Sequence, residues 1–195
     1  MKTQILLSLL GGMLYQNAIA ASVDSEISSL QQAATQGELA AQFNLGIAYS
    51  TGQGVTKNYQ EAIKWYQKVA EQGFAEAQHN LAVAYTLYKE IPQTEDYKQA
   101  AHWYQKAAEQ GDVRAQNNLA NLYRNGKGVT QDDKEAIKWY RKAAEQGYPL
   151  AQYNLGLAYS FGQGTPKDVA EAINWYRKAA EQGHEKAQIE LFFNE

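Results

Sequence analysis

The chain has 195 residues with 18 basic and 21 acidic side chains, and a formal charge of −3 supplies no field that would draw it to nucleic acid or an anionic membrane. It has no cysteine, which excludes disulfides, thiolate metal sites, a cysteine nucleophile and a lipid-modified cysteine, while three histidines leave little for a multi-histidine metal site. Three prolines, abundant Ala, Gln, Glu, Lys and Leu, and 45% apolar residues predict one all-α domain with a buried core and no cofactor.

The amino-terminal segment reads as an export address. Lys2 supplies a positive start, Ile5 to Leu14 is apolar apart from Ser8, Gly11 and Gly12, and Ala18-Ile19-Ala20 places small residues where a signal peptidase reads them. Residues 1–20 are therefore expected to be a signal peptide cleaved after Ala20, giving a periplasmic or secreted protein. The apolar run falls short of the ~20 residues that a spanning helix needs, and no later segment is long enough either. No membrane insertion is expected after cleavage.

The remainder repeats with a period of 36 residues. Residues 37–72, 111–146 and 147–182 match without a gap, and 73–110 matches with two extra residues. Each repeat holds two runs with helical spacing, Ala41, Leu45, Ala48 and Tyr49 in the first, then Ala62, Trp65, Tyr66, Val69 and Ala70 in the second. Gly52-Gln53-Gly54 between them permits a sharp turn, and Gln72-Gly73 is a helix stop. The flanks are half-repeats. Residues 21–36 supply a lone second helix, with Ser29 where Trp stands elsewhere, and 183–195 supply a lone first helix that keeps Ala187 and Leu191. Such hairpins are apolar on two sides and must stack, which predicts a right-handed α-solenoid with a concave and a convex surface.

The fourth repeat presents Ala151, Leu155, Gly156, Tyr159, Gly162, Gly164, Ala172, Trp175, Tyr176, Ala179, Ala180 and Gly183 in register. This pattern resembles the Sel1-like repeats, relatives of the tetratricopeptide repeats with a longer interhelical loop, and the resemblance covers nearly all of the chain after the signal segment. The second repeat departs from it, with Leu87 to Gln93 where a glycine-containing loop is expected.

Tempting chemical signals dissolve on this scaffold. The G-x-G triplets beginning at Gly52, Gly126 and Gly162 follow helices rather than strands and lack the rest of a nucleotide fingerprint, so they read as turn glycines. Trp65, Trp103, Trp139 and Trp175 could form an aromatic platform, but their placement in every repeat is what packing between repeats demands. His102 and His184 occupy positions that read as solvent-facing. No nucleophile elbow, Ser-x-x-Lys or paired-carboxylate signature supports catalysis, so neither catalytic nor metal-binding residues are expected.

Residues that differ between repeats are those that stacking leaves free for a ligand. The resemblance places the first helices on the concave side, and the variable positions there include Phe43 and Ile47, then His79 and Val83, then Arg114, Asn117, Asn121 and Arg124, then Tyr153, Leu157 and Phe161, and finally Lys186. That row has apolar ends and a basic, amide-rich middle. It suits an extended segment of another protein, acidic or ending in a carboxylate. Asn44, Asn80, Asn118 and Asn154 precede the Leu of each first helix. They read either as structural, bonding to neighbouring backbone, or as peptide holders of the kind that tetratricopeptide relatives use.

The resemblance implies a non-enzymatic interaction module: a scaffold, an adaptor, or a cognate-binding protein such as a toxin-immunity protein. The competing class is β-lactam or cell-wall-ligand binding or hydrolysis, as in cysteine-rich relatives, whose regular cysteines this chain lacks.

Overall fold

The computed structural model describes residues 25–88 and 93–194, so the expected signal peptide at 1–20 and the centre of the Leu87 to Gln93 loop lie outside the described residues. All regular structure among the described residues is helical: α1 (25–35), α2 (Leu39–Thr51), α3 (Tyr59–Ala70), α4 (Ala75–Leu87), α5 (Gln93–Glu109), α6 (Val113–Asn125), α7 (Asp133–Glu145), α8 (Pro149–Phe161), α9 (Val169–Glu181) and α10 (Glu185–Asn194). The fold is all-α and of the solenoid class. The hairpins are α2–α3, α4–α5, α6–α7 and α8–α9, with α1 preceding them and α10 following them. The chain divides into two compact units, one ending at Val69 and one beginning at Ala70.

In the first unit Ala34, Ala41 and Leu45 form the core, and Leu30, Ala33, Tyr49 and Trp65 pack against it. Gly46 lies beneath the Tyr66 ring so closely that a Cβ would stand 2.6 Å from it. The Tyr66 hydroxyl is hydrogen-bonded to Ser50 at 3.0 Å. In the second unit each helix from α4 to α10 packs on the next in chain order. Leu81, Leu119 and Leu155 are fully buried, as are the rings of Tyr140 and Tyr176. Burying side chains of this size stabilises by roughly 1.5–3 kcal/mol each.

The tryptophans sit at the edge of this core. Trp103, Trp139 and Trp175 are buried, Trp65 is half-buried, and each is roofed by a lysine three residues on. Lys68, Lys106, Lys142 and Lys178 lie 4.2, 4.8, 4.1 and 4.0 Å above the respective rings. The lysine stems cover apolar surface while their ammonium groups face the indole π-cloud.

Two glycines in each regular turn have separate reasons. Gly52, Gly126 and Gly162 end the first helices in the left-handed region, at φ 83°, 62° and 70°. Gly128 and Gly164 also have positive φ, and each lies against the preceding repeat: a Cβ on Gly128 would stand 2.1 Å from the Tyr97 carbonyl oxygen, and one on Gly164 2.3 Å from that of Asp133. The turn then closes by a recurring backbone bond. The amides of Asn58, Asp132 and Asp168 donate to the carbonyls of Tyr49, Tyr123 and Tyr159 at 2.8, 3.0 and 2.9 Å. The side chains of the same three residues cap the second helices.

The second repeat replaces this turn. α4 ends at Tyr88 in an extended conformation rather than at a left-handed glycine. α5 has 17 residues against 12 or 13 in its counterparts, so its first turn precedes the usual start. Asp96, which aligns with the capping residues Asn58, Asp132 and Asp168, therefore falls inside a helix.

Candidate protein-binding surface

The expected binding row occupies the first helices, and the structure divides it into three kinds of residue. In the first unit Phe43 and Ile47 are half-buried on α2, with the Phe43 ring 5.8 Å from Tyr66. In the second unit Val83, Arg114, Asn121, Arg124, Tyr153 and Leu157 are half-buried, while Lys186 and Phe161 are exposed, Phe161 to 68%. His79 and Asn117 are buried, at 6% and 0% exposure, and do not belong to an accessible surface. Their variability between repeats reflects a local polar core rather than a ligand.

That polar core begins with Asn117. Its Oδ1 accepts from Asn154 Nδ2 at 2.8 Å, joining α6 to α8, and its Nδ2 donates to Asn118 Oδ1 at 3.4 Å. Asn154 thus bonds to a side chain of the preceding repeat, not to backbone, whereas Asn44 is exposed in the first unit. The four recurring asparagines do not share one role.

His79 lies beside Asp112, Nδ1 to Oδ1 3.7 Å, and its ring stands 5.7 Å from Tyr104. Burial lowers its pKa to about 4, with Arg114 adding to the fall and Asp112 opposing it. Burial alone would raise the Asp112 carboxyl, but hydrogen bonds from Arg114 and from the Ala115 amide, with the charges of His79 and Arg114, hold it below its ordinary value. Asp112 Oδ2 accepts from Arg114 at 3.0 Å, and Oδ1 accepts from Ala115 N at 2.8 Å as the cap of α6. Arg114 is therefore already paired within the chain. Arg124 has a different setting, its guanidinium 5.9 Å above the Tyr140 ring.

Towards the end of the second unit the surface becomes aromatic. Tyr153 stacks on His184 with centroids 4.7 Å apart and planes 28° apart, and its ring is 5.9 Å from Tyr176. His184 is thus half-buried by this stack, whereas His102 is exposed as its position implied. Leu150, Phe161 and Ile189 add exposed apolar area.

The first unit holds a cavity of about 390 Å³ lined by residues that include Glu26, Ile27, Leu30, Asn44, Ile47 and Gln53. Its counterpart in the second unit, at Ala136, Ile137, Tyr140, Asn154 and Gln163, shrinks to about 10 Å³. Tyr140 and Arg124 line the smaller cavity, and Leu30 holds the position of Tyr140 in the first unit.

A glutamine network underlies both units, and sequence reasoning did not assign it. Gln42, Gln78, Gln116, Gln152 and Gln188 each donate from Nε2 to a carbonyl eight residues earlier, on Ala34, Ala70, Ala108, Ala144 and Ala180, at 3.0–3.2 Å. Gln110, Gln146 and Gln182 then donate to the Oε1 atoms of Gln78, Gln116 and Gln152 at 2.7–2.9 Å. The signal was available, since both glutamines recur in every repeat.

Among the described residues no group of His, Cys, Asp and Glu is placed to hold a metal ion, and no helix is long and apolar enough to cross a membrane.

Comparison with known proteins follows the same lines. The model of the Sel1 repeat matches four times, at residues 39–74, 75–112, 113–148 and 149–184. A protective antigen of uropathogenic Escherichia coli strains, solved as a crystal structure, is 42% identical with a TM-score of 0.75, the match covering 83% of this chain and 34% of the antigen. A Sel1 repeat protein from Oxalobacter formigenes is 35% identical with a TM-score of 0.74, covering 82% of this chain and 45% of that one. The chain thus spans less than half the length of either. An immunity protein from Pseudomonas aeruginosa is 25% identical with a TM-score of 0.51, covering 83% of this chain and 58% of its own. No curated protein matches the sequence. Four matches in tandem, in register with the helical hairpins, establish that the chain belongs to the Sel1 repeat family.

Proposed function

We propose that the protein is an exported, non-enzymatic interaction module that binds a segment of another protein through the first helices of its second unit. The observation that carries this reading is the aromatic end of that surface. Recurring residues such as Leu81, Leu119 and Leu155 are fully buried, whereas the non-recurring Phe161 is 68% exposed beside half-buried Tyr153 and Leu157. Aromatic side chains presented in this way anchor partners by burying large area at small entropic cost. Arg124 and Lys186 supply the positive groups of the same surface, while Arg114 is occupied by Asp112. The partner segment is therefore expected to carry an apolar anchor with an acidic group nearby. An adaptor and a toxin-binding immunity protein both use such a surface, and the Pseudomonas aeruginosa neighbour is an immunity protein.

Comparative capture from the native envelope tests the reading, using wild type, Phe161→Asp and Arg124→Glu. A specific partner is expected to be lost with Phe161→Asp and weakened, in a salt-dependent way, with Arg124→Glu. Capture unaltered by both variants would place the interface elsewhere. Sustained nitrocefin turnover by purified protein would overturn the non-enzymatic part. Export rests on Lys2, the Ile5 to Leu14 run and Ala18-Ile19-Ala20. N-terminal mass analysis of native protein is expected to find Ala21 first, and an exported form retaining Met1 would refute it.

A further inference from the structure

The third repeat differs from the others at two positions one turn apart on α6. Asn121 stands where the other three repeats have Ile47, Val83 and Leu157, and Arg124 stands where they have Ser50, Thr86 and Ser160. The exchange redirects the buried tyrosine of the second helix. In the first unit Ser50 meets the Tyr66 hydroxyl at 3.0 Å, but a guanidinium has no acceptor to offer the equivalent Tyr140. Tyr140 donates instead to Asn121 Oδ1. Burial pushes the Tyr140 pKa up to about 12, with Arg124 opposing the rise and Asp133 adding to it, so the hydroxyl keeps the proton it donates.

This bond fixes which way the Asn121 amide faces. With Oδ1 taken, Nδ2 is left as a donor on a half-buried side chain and has no partner among the described residues. The Arg124 guanidinium, 5.9 Å above the same Tyr140 ring, also forms no ion pair or hydrogen bond among the described residues. Two donor groups, one of them charged, thus share one buried tyrosine. Arg114, by contrast, already has the Asp112 carboxylate. The need to satisfy Tyr140 explains Asn121 but not the arginine, because Ser50 satisfies Tyr66 without one.

Resting on the interaction reading above, we propose that Asn121 Nδ2 and the Arg124 guanidinium hold a side-chain carboxylate of the bound protein segment, with Tyr140 as the residue that positions both. The planar guanidinium fork matches a carboxylate with charge-assisted bonds, and the Asn121 amide adds a neutral donor beside it. Asp133 lines the same small cavity as Arg124 and Tyr140. A singly charged group is therefore accepted there more readily than a phosphate group, which carries about two charges.

The experiment is a nuclear magnetic resonance titration of the isotope-labelled full chain at constant ionic strength. The probe is N-acetylglutamate blocked as its α-amide, so that only the side-chain carboxylate remains, and the control is its glutamine counterpart. The Asn121 side-chain amide and Arg124 Nε–H signals are expected to move together and saturably with the glutamate probe. The glutamine probe should bind about tenfold more weakly or worse. Asn121→Leu combined with Arg124→Ser imports the pair that the fourth repeat has in Leu157 and Ser160, and returns to Tyr140 the kind of acceptor that Tyr66 has. That double variant is expected to fold and to lose about tenfold or more in affinity for the glutamate probe. Tyr140→Phe should reduce the preference for glutamate over glutamine while the backbone signals stay in place, whereas a purely structural hydroxyl would leave that preference unmoved. Equal response to both probes, a stronger response to inorganic phosphate, or a double variant that titrates like wild type would overturn the proposal. Because the titration needs no partner, it is separate from capture. Capture lost with Phe161→Asp but unaltered by the double variant would overturn the carboxylate site and leave the wider interaction reading in place.

Discussion

Trp139 and Trp175 hold the same place in consecutive repeats, yet their indoles are satisfied differently. Trp175 Nε1 donates to Glu171 at 2.7 Å, whereas buried Trp139 Nε1 has no partner. The corresponding Glu135 is held instead by Lys138, at 3.1 and 3.2 Å, and the fourth repeat has Asn174 in place of that lysine. An exposed ion pair is worth a few tenths of a kcal/mol, less than a buried donor gains from a charged acceptor. Lys138→Asn is therefore expected to stabilise the protein by about 1 kcal/mol, read as a higher urea midpoint, and an unchanged or lowered midpoint would contradict it. Trp139→Ala, by contrast, is expected to cost ~3–5 kcal/mol, since transfer and cavity contributions add. His79 adds a pH dependence. Its pKa falls from an ordinary 6.5 to about 4 on folding, so between those values the unfolded chain binds a proton that the folded one refuses. Stability is fully present above pH ~6.5 and declines as pH falls towards ~4, by at most about 3 kcal/mol. Asp112, whose folded pKa is depressed, loses its contribution only at still lower pH. Melts of wild type and His79→Gln at neutral pH and near pH 4.5 are expected to show a steeper decline for wild type.

At the scale of the element, the second repeat shows what its altered loop costs. Elsewhere an aspartate or asparagine before the second helix accepts backbone amides, but the early start of α5 leaves Asp96 within the helix, 4% exposed and with Oδ2 unpartnered. Burial, reinforced by Glu95, raises its carboxyl pKa. A raised folded pKa means that the ionised group opposes folding at neutral pH, and this penalty is relieved as pH falls through the folded pKa towards 3.8. Asp96→Asn is expected to stabilise by about 1 kcal/mol at pH 7, with the advantage shrinking in acid. Denaturant midpoints at the two pH values measure this. The turn glycines give a second comparison at this scale. Gly147 has φ 88° and open space within 4 Å of where a Cβ would stand, whereas Gly128 meets the Tyr97 carbonyl. Gly147→Ala should cost about 1–2 kcal/mol of backbone strain, and Gly128→Ala more than about 3 kcal/mol, because backbone must also move.

For the whole molecule, legibility followed recurrence. The hairpins, the turn glycines and the buried Leu and Trp positions could be read because each is demanded once per repeat, so one chain compares itself four times. His79 and Asn117 could not be read in this way. Variation between repeats marks freedom from the stacking requirement, but Asn117, buried and bonded to the recurring Asn154, also varies, because that bond is local to two repeats. Arg114 likewise needed its neighbour Asp112 in space before its charge could be discounted. The glutamine network was legible in pattern but not in role, since a recurring polar residue gives no sign of what it bonds. Its role is coupling between repeats, for Gln116 joins the buried Ala108 carbonyl of one repeat to Gln146 at the end of its own. In arrays whose repeats touch only their neighbours, such bonds set how far unfolding spreads. Gln116→Ala removes two hydrogen bonds, one to the Ala108 carbonyl, which keeps the Gly111 amide, and one from Gln146, which keeps the Lys142 carbonyl, and the expected loss is ~1–3 kcal/mol. Gln146→Ala removes the outer bond and an exposed one to the Lys142 carbonyl while Gln116 keeps Ala108, and should cost less. Because the two share one connection, the double variant is expected to lose less than the sum of the singles. Urea melts of the four chains measure that coupling, and strict additivity would mean that the two glutamines act independently.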